Sequence, residues 1–297
     1  MRIAFVFPGQ GSQSVGMLSG FAGNETVAGV MARADEALGF SLTGLIAEGP
    51  AETLSLTVNT QPAMLASSVA FYEAWLAAGG RTPEMMAGHS LGEYSALCAA
   101  GAMSLETAVR LVRFRAEAMQ SAVPVGVGGM AAVIGLADDD VEAAVAEARE
   151  TGRVEAVNFN APGQVVIAGE KAAVARAIEL PVSAPFHSSL MQPAADKLAA
   201  RLAETEIQVP AIPVIANIDV EVHETPDAIR EALARQAAGA VQWVRTIERM
   251  KAAGITDIVE CGPGKVLTGL LRRTAPEING HNIFDAASLA AVLEKLN

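Results

Sequence analysis

Short apolar runs alternate with longer amphipathic or small-residue stretches along most of the chain. The runs have the length of buried strands, and the stretches between them repeat apolar residues at helical spacing. This pattern predicts strands at 2–7, 84–88, 131–136, 154–158, 164–168, 181–184, 212–216 and 256–260. It predicts helices near 26–38, 60–79, 91–101, 104–121, 138–150, 171–179, 189–204, 226–237, 243–253 and 264–273. Continuous apolar strands that alternate with helices indicate a parallel sheet covered on both faces.

The stretch from 127 to 185 follows a different order, namely strand, helix, strand, strand, helix and strand. That order is typical of the split βαβ unit of a ferredoxin-like fold. We therefore predict two units: a large α/β domain formed by residues 1–126 and 186–297, and a ferredoxin-like subdomain at 127–185 inserted into it.

The second helix of this insert is unusually short. It must end before Pro181, so the stretch 171–179 has barely two turns and covers its sheet poorly. Either the chain has a deletion here, or a stretch of residues is absent between about 172 and 182 and the numbering runs over the gap. We favour the second explanation, which a break in the Cα spacing would decide.

Composition narrows the class of protein. Of the 297 residues, 51% are hydrophobic, which excludes disorder, and the formal net charge of −12 argues against nucleic acid as a partner. No apolar stretch approaches the ~18 residues of a membrane-spanning helix, so we predict no membrane partner. Two cysteines, Cys98 and Cys261, cannot form a disulfide scaffold. We expect both to be buried and reduced, as in a cytoplasmic protein. No Cys–His cluster has metal-ligand spacing, so we expect no metal.

The clearest chemical signal is Gly88-His89-Ser90-Leu91-Gly92, which lies between a predicted strand and an Ala-rich helix. A Gly-X-Ser-X-Gly sequence in this context predicts a nucleophile elbow, with Ser90 held in a tight turn above the strand ends. The backbone amide of Leu91, at the helix N-terminus, is placed to stabilise an oxyanion.

A serine nucleophile needs a base, and the chain has four histidines. His89 adjoins Ser90, so its ring should point elsewhere, while His223 and His281 lie in polar, turn-like surroundings and are expected to be exposed. His187 remains, between a predicted strand and a predicted helix, where active-site loops of α/β proteins lie. No acidic third member is evident, so a backbone carbonyl or an amide could orient His187.

Arg115 falls on the apolar face of the predicted helix 104–121, together with Leu111, Val112 and Met119. An inward-facing arginine must be paired or must face a polar cavity. A structural salt bridge or a snorkelling side chain is one explanation. The other is a substrate with a free carboxylate, which suits the planar guanidinium.

The loop Phe7-Pro8-Gly9-Gln10-Gly11-Ser12-Gln13 follows the first strand. It is not a Walker loop, because no Gly-Lys-Ser/Thr follows, and the dinucleotide fingerprint is not completed. Its glycines permit close backbone approach and two glutamine amides are offered at the strand end, while a tight connecting loop is the alternative explanation.

These motifs together identify a resemblance. The ordered set is Phe7–Gln13, Gly88–Glu93, Arg115, Asn158–Gln164, Ser183–Ser189 and Glu260–Gly264. The chain resembles the malonyl-CoA:acyl carrier protein transacylases of bacterial type II fatty acid synthesis, and also the acyltransferase domains of polyketide synthases. The resemblance covers nearly the whole chain except the short segment before Pro181. It implies an α/β fold with a large α/β-hydrolase-like domain, a parallel sheet and an inserted ferredoxin-like subdomain that closes over the active site.

The resemblance also implies a role for each matched residue. Ser90 would carry the acyl group, His187 would be its base, and the backbone carbonyl of Gln236 would orient His187. Gln10 and the Leu91 amide would form the oxyanion hole, and Arg115 would bind the malonyl carboxylate. Phe186 would fill the space that a methyl branch needs. The remaining substrate-binding assignments are Met119, His89, Asn160 and Gln164.

The implied reaction is a ping-pong transfer of malonyl from malonyl-CoA to the phosphopantetheine thiol of holo acyl carrier protein, without a cofactor. Carrier proteins are acidic, so docking on this acidic chain needs a local basic surface. One candidate is formed by Lys265, Arg272 and Arg273, and another by Lys171 and Arg176. The resemblance further implies a monomer.

Other functions stay open. The same motifs fit a malonyl transferase of a polyketide or malonate decarboxylase system. A serine thioesterase or esterase would use the same serine and histidine but has no use for a buried Arg115. A non-catalytic carrier-binding subunit would not need the intact set of Ser90, His187 and Arg115.

Overall fold

The computed structural model describes residues 1–124, 126–174, 178–179 and 184–297. The strands are β1 Ile3–Phe7, β2 Met85–Gly88, β3 Gly128–Ile134, β4 Val154–Ala161, β5 Gln164–Glu170, β6 Ile178–Glu179, β7 Val214–Ile215, β8 Asp257–Cys261 and β9 Asn279–Ile283. The α-helices are α1 Glu25–Leu38, α2 Leu42–Glu48, α3 Ala51–Leu54, α4 Thr57–Ala77, α5 Leu91–Ala99, α6 Leu105–Ser121, α7 Asp138–Ala148, α8 Lys171–Val174, α9 Gln192–Ala203, α10 Pro226–Ala237, α11 Trp243–Ala252, α12 Val266–Thr274 and α13 Ala286–Leu296. Short 3-10 turns lie at Ser19–Phe21 and Ser189–Met191.

The larger sheet is parallel and has the strand order β7-β2-β1-β8-β9. Every residue of the central strand β1 is buried. Side chains of Phe5 and Phe7 face a core with α1, α4, α5 and α6, whereas Ala4 and Val6 face a second core with α11 and α12. Helices therefore cover both faces, as the continuous apolar strands predict. The carboxyl ends of these strands meet at one edge, where parallel α/β proteins bind their ligands.

The smaller sheet is antiparallel and has the order β4-β5-β3-β6. Its elements follow the order β3-α7-β4-β5-α8-β6, which is the ferredoxin-like arrangement predicted from the sequence. The main chain of β4 also contacts the large domain, because the N–H of Phe159 donates to the carbonyl oxygen of Val241 at 3.0 Å. The domain boundaries at 126/127 and 185/186 stay a prediction.

The end of the insert differs from the prediction. Helix α8 is described over Lys171–Val174, and residues 178–179, predicted as the end of that helix, pair with β3 as strand β6. A strand was predicted at 181–184, but residues 181–183 lie outside the described residues. Most of the segment 172–182, where a break in the chain was predicted, also lies outside them. The apolar pattern extended the helix into a segment whose hydrogen bonds go to the sheet instead.

Several elements were missed. Strand β9 has the sequence Asn-Gly-His-Asn-Ile, which resembles a turn, but it pairs with β8 at the edge of the sheet, where its first two residues are exposed. The C-terminal helix α13 begins with a capping box at Asp285 and Ser288. Within the described part of the chain, no helix combines the length and apolar character needed to cross a bilayer.

Candidate active site

The turn between β2 and α5 holds Ser90 at φ 51° and ψ −104°, a conformation that few non-glycine residues adopt. A Cβ atom on Gly88 would lie 1.9 Å from the backbone of Gly92. A Cβ atom on Gly92 would lie 2.0 Å from the carbonyl oxygen of Phe7. Only glycine fits at these two positions, so β1, β2 and α5 approach closely. This turn has the strand–serine–helix geometry of a nucleophile elbow.

Side chains from distant parts of the chain hold both peptide groups of Ser90. The N–H of Ser90 donates to Oδ1 of Asn217 at 2.7 Å, and Nδ2 of Asn217 donates to the carbonyl oxygen of Gly88 at 2.7 Å. The carbonyl oxygen of Ser90 accepts from Nε2 of Gln236 at 2.9 Å. A strained backbone costs of order 1–3 kcal/mol and persists only where its surroundings fix it, as these hydrogen bonds do.

Ser90 and His187 form a hydrogen-bonded pair. Oγ of Ser90 lies 2.7 Å from Nε2 of His187, and Nδ1 of His187 lies 2.8 Å from the carbonyl oxygen of Gln236. Because a carbonyl oxygen only accepts, Nδ1 carries the proton and Nε2 accepts from the Ser90 hydroxyl. The structure thus places a backbone carbonyl where many serine enzymes have a carboxylate.

Burial and the nearby Arg115 guanidinium lower the pKa of His187 to about 3. A lowered pKa means that the imidazole stays neutral, and so remains a base, throughout the neutral and mildly acidic range. The usual protonation of a histidine near pH 6.5 is therefore absent at this site.

This pKa predicts an unusual pH profile. We expect kcat/KM for acylation of Ser90 to stay level between about pH 5.5 and 8, because His187 takes up no proton in that range. Stopped-flow measurement of the first acyl transfer in a series of buffers tests this. The contradicting result would be a loss of rate on acidification with a midpoint near pH 6.5 that only the substitution of His187 removes. It would mean that the pKa of His187 is not lowered by burial and by Arg115.

Arg115 is buried and is held by neutral groups. Nη1 donates to Oε1 of Gln61 at 2.9 Å, and Nη2 donates to Oε1 of Gln236 at 2.9 Å and to Oγ of Ser90 at 3.2 Å. The guanidinium also lies over the ring of Tyr94, 5.2 Å from its centroid. Among the described residues, no carboxylate lies within salt-bridge distance of Arg115, and its buried Nε has no acceptor. The structure therefore does not pair Arg115 in a salt bridge, and it does not expose the guanidinium to solvent.

The loop after β1 brings Gln10 to the elbow. A Cβ atom on Gly9 would lie 2.6 Å from the carbonyl oxygen of His89, so the loop packs directly on the turn. The side chain of Gln10 donates to Oγ1 of Thr57 at 3.2 Å. Leu91, the other assigned residue, is the first residue of α5.

The other assigned substrate residues differ in their surroundings. Phe186 and Met119 are buried in one apolar cluster with Met130 and Met191. His89 turns away from Ser90, as expected: its Nε2 lies 2.7 Å from Oδ1 of Asn160. This contact joins the elbow to strand β4 of the small subdomain.

Gln164, assigned to substrate binding, and Arg273, assigned to docking, contact each other. Gln164 accepts through Oε1 from Nη1 of Arg273 at 2.6 Å, and Nη2 of Arg273 donates to the carbonyl oxygen of Pro162. Arg273 therefore joins α12 to the β4–β5 turn. Lys265 lies over the ring of Phe284, and Arg272 is exposed. Of the second docking candidate, Lys171 is exposed, and Arg176 lies outside the described residues.

The remaining histidines differ from the prediction. His281 is not exposed in a turn, because it lies in β9 with Nε2 2.9 Å from Oδ1 of Asp257. His223 is also only partly exposed, and lies 3.3 Å from Asp219. Cys98 and Cys261 are buried free thiols, as expected.

A cleft of about 480 Å³ opens beside His187. Glu155 and Arg149 of the small subdomain line one side, and residues 238–240 of the large domain line the other. Glu155 accepts from the backbone N–H of Ser189 at 2.9 Å and also from its hydroxyl, which ties β4 to the segment after His187. No group of three or more metal-ligating side chains occurs among the residues described.

Sequence reasoning missed three buried polar residues of this site: Gln61, Glu93 and Asn217. Glu93 is buried, and its place in the elbow motif, at the start of an Ala-rich helix, was the sequence signal that could have found it. Gln61 and Asn217 carry no local signal, because their partners lie far away in the sequence.

The parallel sheet, the elbow and the Ser–His pair define an α/β enzyme with a serine nucleophile. A model of the acyl transferase domain family matches residues 4–294, and the chain belongs to that family. The chain is 50% identical over 306 aligned positions to the malonyl CoA-acyl carrier protein transacylase of Escherichia coli (strain K12), covering 99% of each chain.

Solved structures agree with this assignment. The chain is similar to an acyl-carrier-protein S-malonyltransferase from Burkholderia pseudomallei 1710b, with 55% identity, a TM-score of 0.98 and coverage of 99% of this chain and 100% of that chain. It is also similar, with the same TM-score of 0.98, to a malonyl-transacylase in complex with its type II polyketide synthase acyl carrier protein. That match has 45% identity and covers 99% of this chain and 100% of the other.

Proposed function

We propose that this protein transfers the malonyl group from malonyl-CoA to the phosphopantetheine thiol of holo acyl carrier protein and so supplies fatty acid elongation. The observation that carries the proposal is that Nη2 of Arg115 lies 3.2 Å from Oγ of Ser90, while no carboxylate of the described residues pairs with the guanidinium. Similarity to malonyl transacylases of known name over nearly the full chain supports it.

In the first half-reaction, Oγ of Ser90 attacks the thioester carbon and its proton passes to Nε2 of His187. The backbone amides of Gln10 and Leu91 stabilise the oxyanion. When the intermediate collapses, the carbon–sulfur bond breaks and His187 returns the proton to the departing CoA thiolate. The malonyl ester stays on Ser90, and its carboxylate binds Arg115, whose Nε has no acceptor among the residues that the structure describes.

In the second half-reaction, the phosphopantetheine thiol attacks the ester carbon while His187 accepts its proton. The carbon–oxygen bond to Ser90 breaks, and His187 returns the proton to Ser90. The cleft beside His187 is the proposed path for the extended pantetheine arm, since it is lined by both units of the protein. No residue of the mechanism requires a cofactor; that absence, the monomeric state and a cytoplasmic location stay predictions.

The release of CoA distinguishes a transferase from a hydrolase. Malonyl-CoA alone should give one rapid turnover and then slow release, and holo acyl carrier protein should restore rapid release. Continuous rapid release without the carrier protein would instead indicate a thioesterase. A polyketide carrier protein is a second acceptor worth testing, because the solved complex contains one from such a system.

The proposed docking surface gives a separate prediction. Arg272 is exposed and has no hydrogen bond or ion pair within the described ranges, so Arg272→Glu should leave malonylation of Ser90 by malonyl-CoA unchanged. The KM for holo carrier protein should rise about fivefold, the equivalent of about 1 kcal/mol for an exposed ion pair, and more strongly at low salt.

Arg81→Glu is the matched control for Arg272→Glu, because Arg81 is also exposed and lies on a different segment, before β2. Equal effects of the two substitutions would mean that only net charge matters, and an unchanged KM in Arg272→Glu would move the docking surface elsewhere. Lys265→Glu and Arg273→Glu complete the set. Arg273→Glu also breaks the contacts with Gln164 and Pro162.

A further inference from the structure

A buried carboxylate lies behind the nucleophile, and the mechanism above does not use it. Glu93 is three residues after Ser90 on α5 and is 2% exposed. Its Oε2 accepts from Nε2 of Gln236 at 2.8 Å and from the backbone N–H of Asn217 at 2.9 Å. Burial raises the pKa of Glu93 to about 7. Burying a carboxylate costs free energy of folding, so its presence at this position needs an explanation.

The two partners of Glu93 hold almost every part of the catalytic group. Asn217 binds the backbone of Gly88 and Ser90 at the strained turn. Gln236 binds the Ser90 carbonyl oxygen, Arg115 and, through its backbone carbonyl, His187. Glu93 is the common acceptor of both.

Glu93 also determines which way the Gln236 amide points. A glutamine amide presents a donor on one side and an acceptor on the other. Oε2 of Glu93 and the carbonyl oxygen of Ser90 require Nε2 on their side, so Oε1 must face the guanidinium of Arg115. With the amide reversed, NH₂ would face the Arg115 donors, and the guanidinium would lose one of its two amide acceptors.

We propose that Glu93 is a positioning residue for acyl transfer: acting through Gln236 and Asn217, it fixes the Ser90 turn, His187 and the guanidinium of Arg115 without touching the substrate. Part of this inference, the selectivity for malonyl, rests on the proposed function. The role requires an acceptor at Oε2 and not a charge. A proton on Oε1, or an amide in place of the carboxylate, therefore preserves it.

Two substitutions separate this role from a general effect on folding. In Glu93→Ala both hydrogen bonds are lost, and we expect malonylation of Ser90 to slow by about 10²-fold, the usual effect of displacing catalytic groups by about 1 Å. The ratio of malonyl-CoA to acetyl-CoA efficiency should also fall, because Arg115 loses its fixed orientation. In Glu93→Gln, Oε1 can accept from both donors, so the rate and the ratio should return close to those of the wild type.

A fluorophosphonate probe provides a readout that needs no malonyl group. Oγ of Ser90 bonds to phosphorus, fluoride leaves, and the Ser90 proton passes to His187, so the labelling rate reports the Ser90–His187 pair alone. Glu93→Ala should label slowly and Glu93→Gln should label normally. If the wild type labels but transfers no malonyl group, the proposed function fails while the role of Glu93 is still measured.

Glu260 offers a matched control. It is also a fully buried carboxylate, and it accepts from the backbone N–H groups of Leu267 and Thr268 at the start of α12. Glu260→Ala should lower the melting temperature without changing acyl selectivity.

A double-mutant cycle tests whether Glu93 acts through Gln236. Gln236→Ala keeps the backbone carbonyl that binds His187, and its effect and that of Glu93→Ala should be strongly non-additive. Two results would overturn the proposal. One is a folded Glu93→Ala variant with wild-type labelling and selectivity. The other is a Glu93→Gln variant that is as slow as Glu93→Ala.

Discussion

Ser90→Ala should lower malonyl transfer to the carrier protein by at least about 10⁴-fold, since the acyl group then has no attachment point. The substitution removes one oxygen atom and leaves the glycine contacts of the elbow intact, so the protein should fold normally. Transfer is measured as radiolabelled malonyl on the carrier protein, at enzyme concentrations high enough to detect a very slow reaction.

Ser95→Ala is the matched control for this substitution. Ser95 lies on the same helix, is buried, and its hydroxyl has no partner within the described part of the chain. Its replacement should leave the transfer rate nearly unchanged. Substantial transfer by Ser90→Ala would mean that the two substrates react directly, without an acyl-enzyme.

Arg115→Ala should remove the preference for malonyl-CoA over acetyl-CoA. A site built to bind a polar group rejects an analogue that lacks it by about 10⁴-fold, because its own buried polar group is then left unpaired. With acetyl-CoA, the hydrogen bonds of the Arg115 guanidinium within the described part of the chain stay those to the neutral side chains of Gln61, Gln236 and Ser90. We therefore expect kcat/KM for malonyl-CoA to fall by about 10³-fold or more, and that for acetyl-CoA to stay level or rise.

Arg115→Lys should restore little of the lost preference. One ammonium group cannot reach Gln61 and Gln236 and still present a planar edge to a carboxylate. Arg113→Ala is the control on the same helix, because Arg113 binds Glu117 and Asn59 at a partly exposed position. If Arg115→Ala lowers both substrates equally, Arg115 acts on Ser90 and His187 rather than on the malonyl carboxylate.

The sequence predicted the parts of the fold that local patterns determine. Buried strands such as β1 and β2 are continuous apolar runs, and the elbow at Ser90 has a motif with a physical cause. Strand β9 has no such pattern, because an edge strand in which only the last residue is buried needs few apolar residues. Helix α8 was extended too far because the pairing of residues 178–179 with β3 depends on contacts distant in sequence.

Residues of the candidate site also differ in whether a local sequence pattern reveals them. Ser90 and His187 could be found from motif and elimination, and the backbone carbonyl of Gln236 followed from the family resemblance. The side-chain amide of Gln236 could not be assigned, since it meets Glu93 across 143 residues of sequence, and Asn217 meets Glu93 across 124. Such contacts depend on the packing of the two parts of the large domain, before and after the insert, which no local pattern reports.

The most direct test of the central claim is the intact mass of the protein after brief incubation with malonyl-CoA, with acetyl-CoA in parallel. The account predicts one malonyl adduct that maps to Ser90, is discharged by holo acyl carrier protein, and is much weaker with acetyl-CoA. Rapid release of CoA with no adduct would indicate a hydrolase. An equal adduct from acetyl-CoA would contradict the role of Arg115 as the carboxylate ligand.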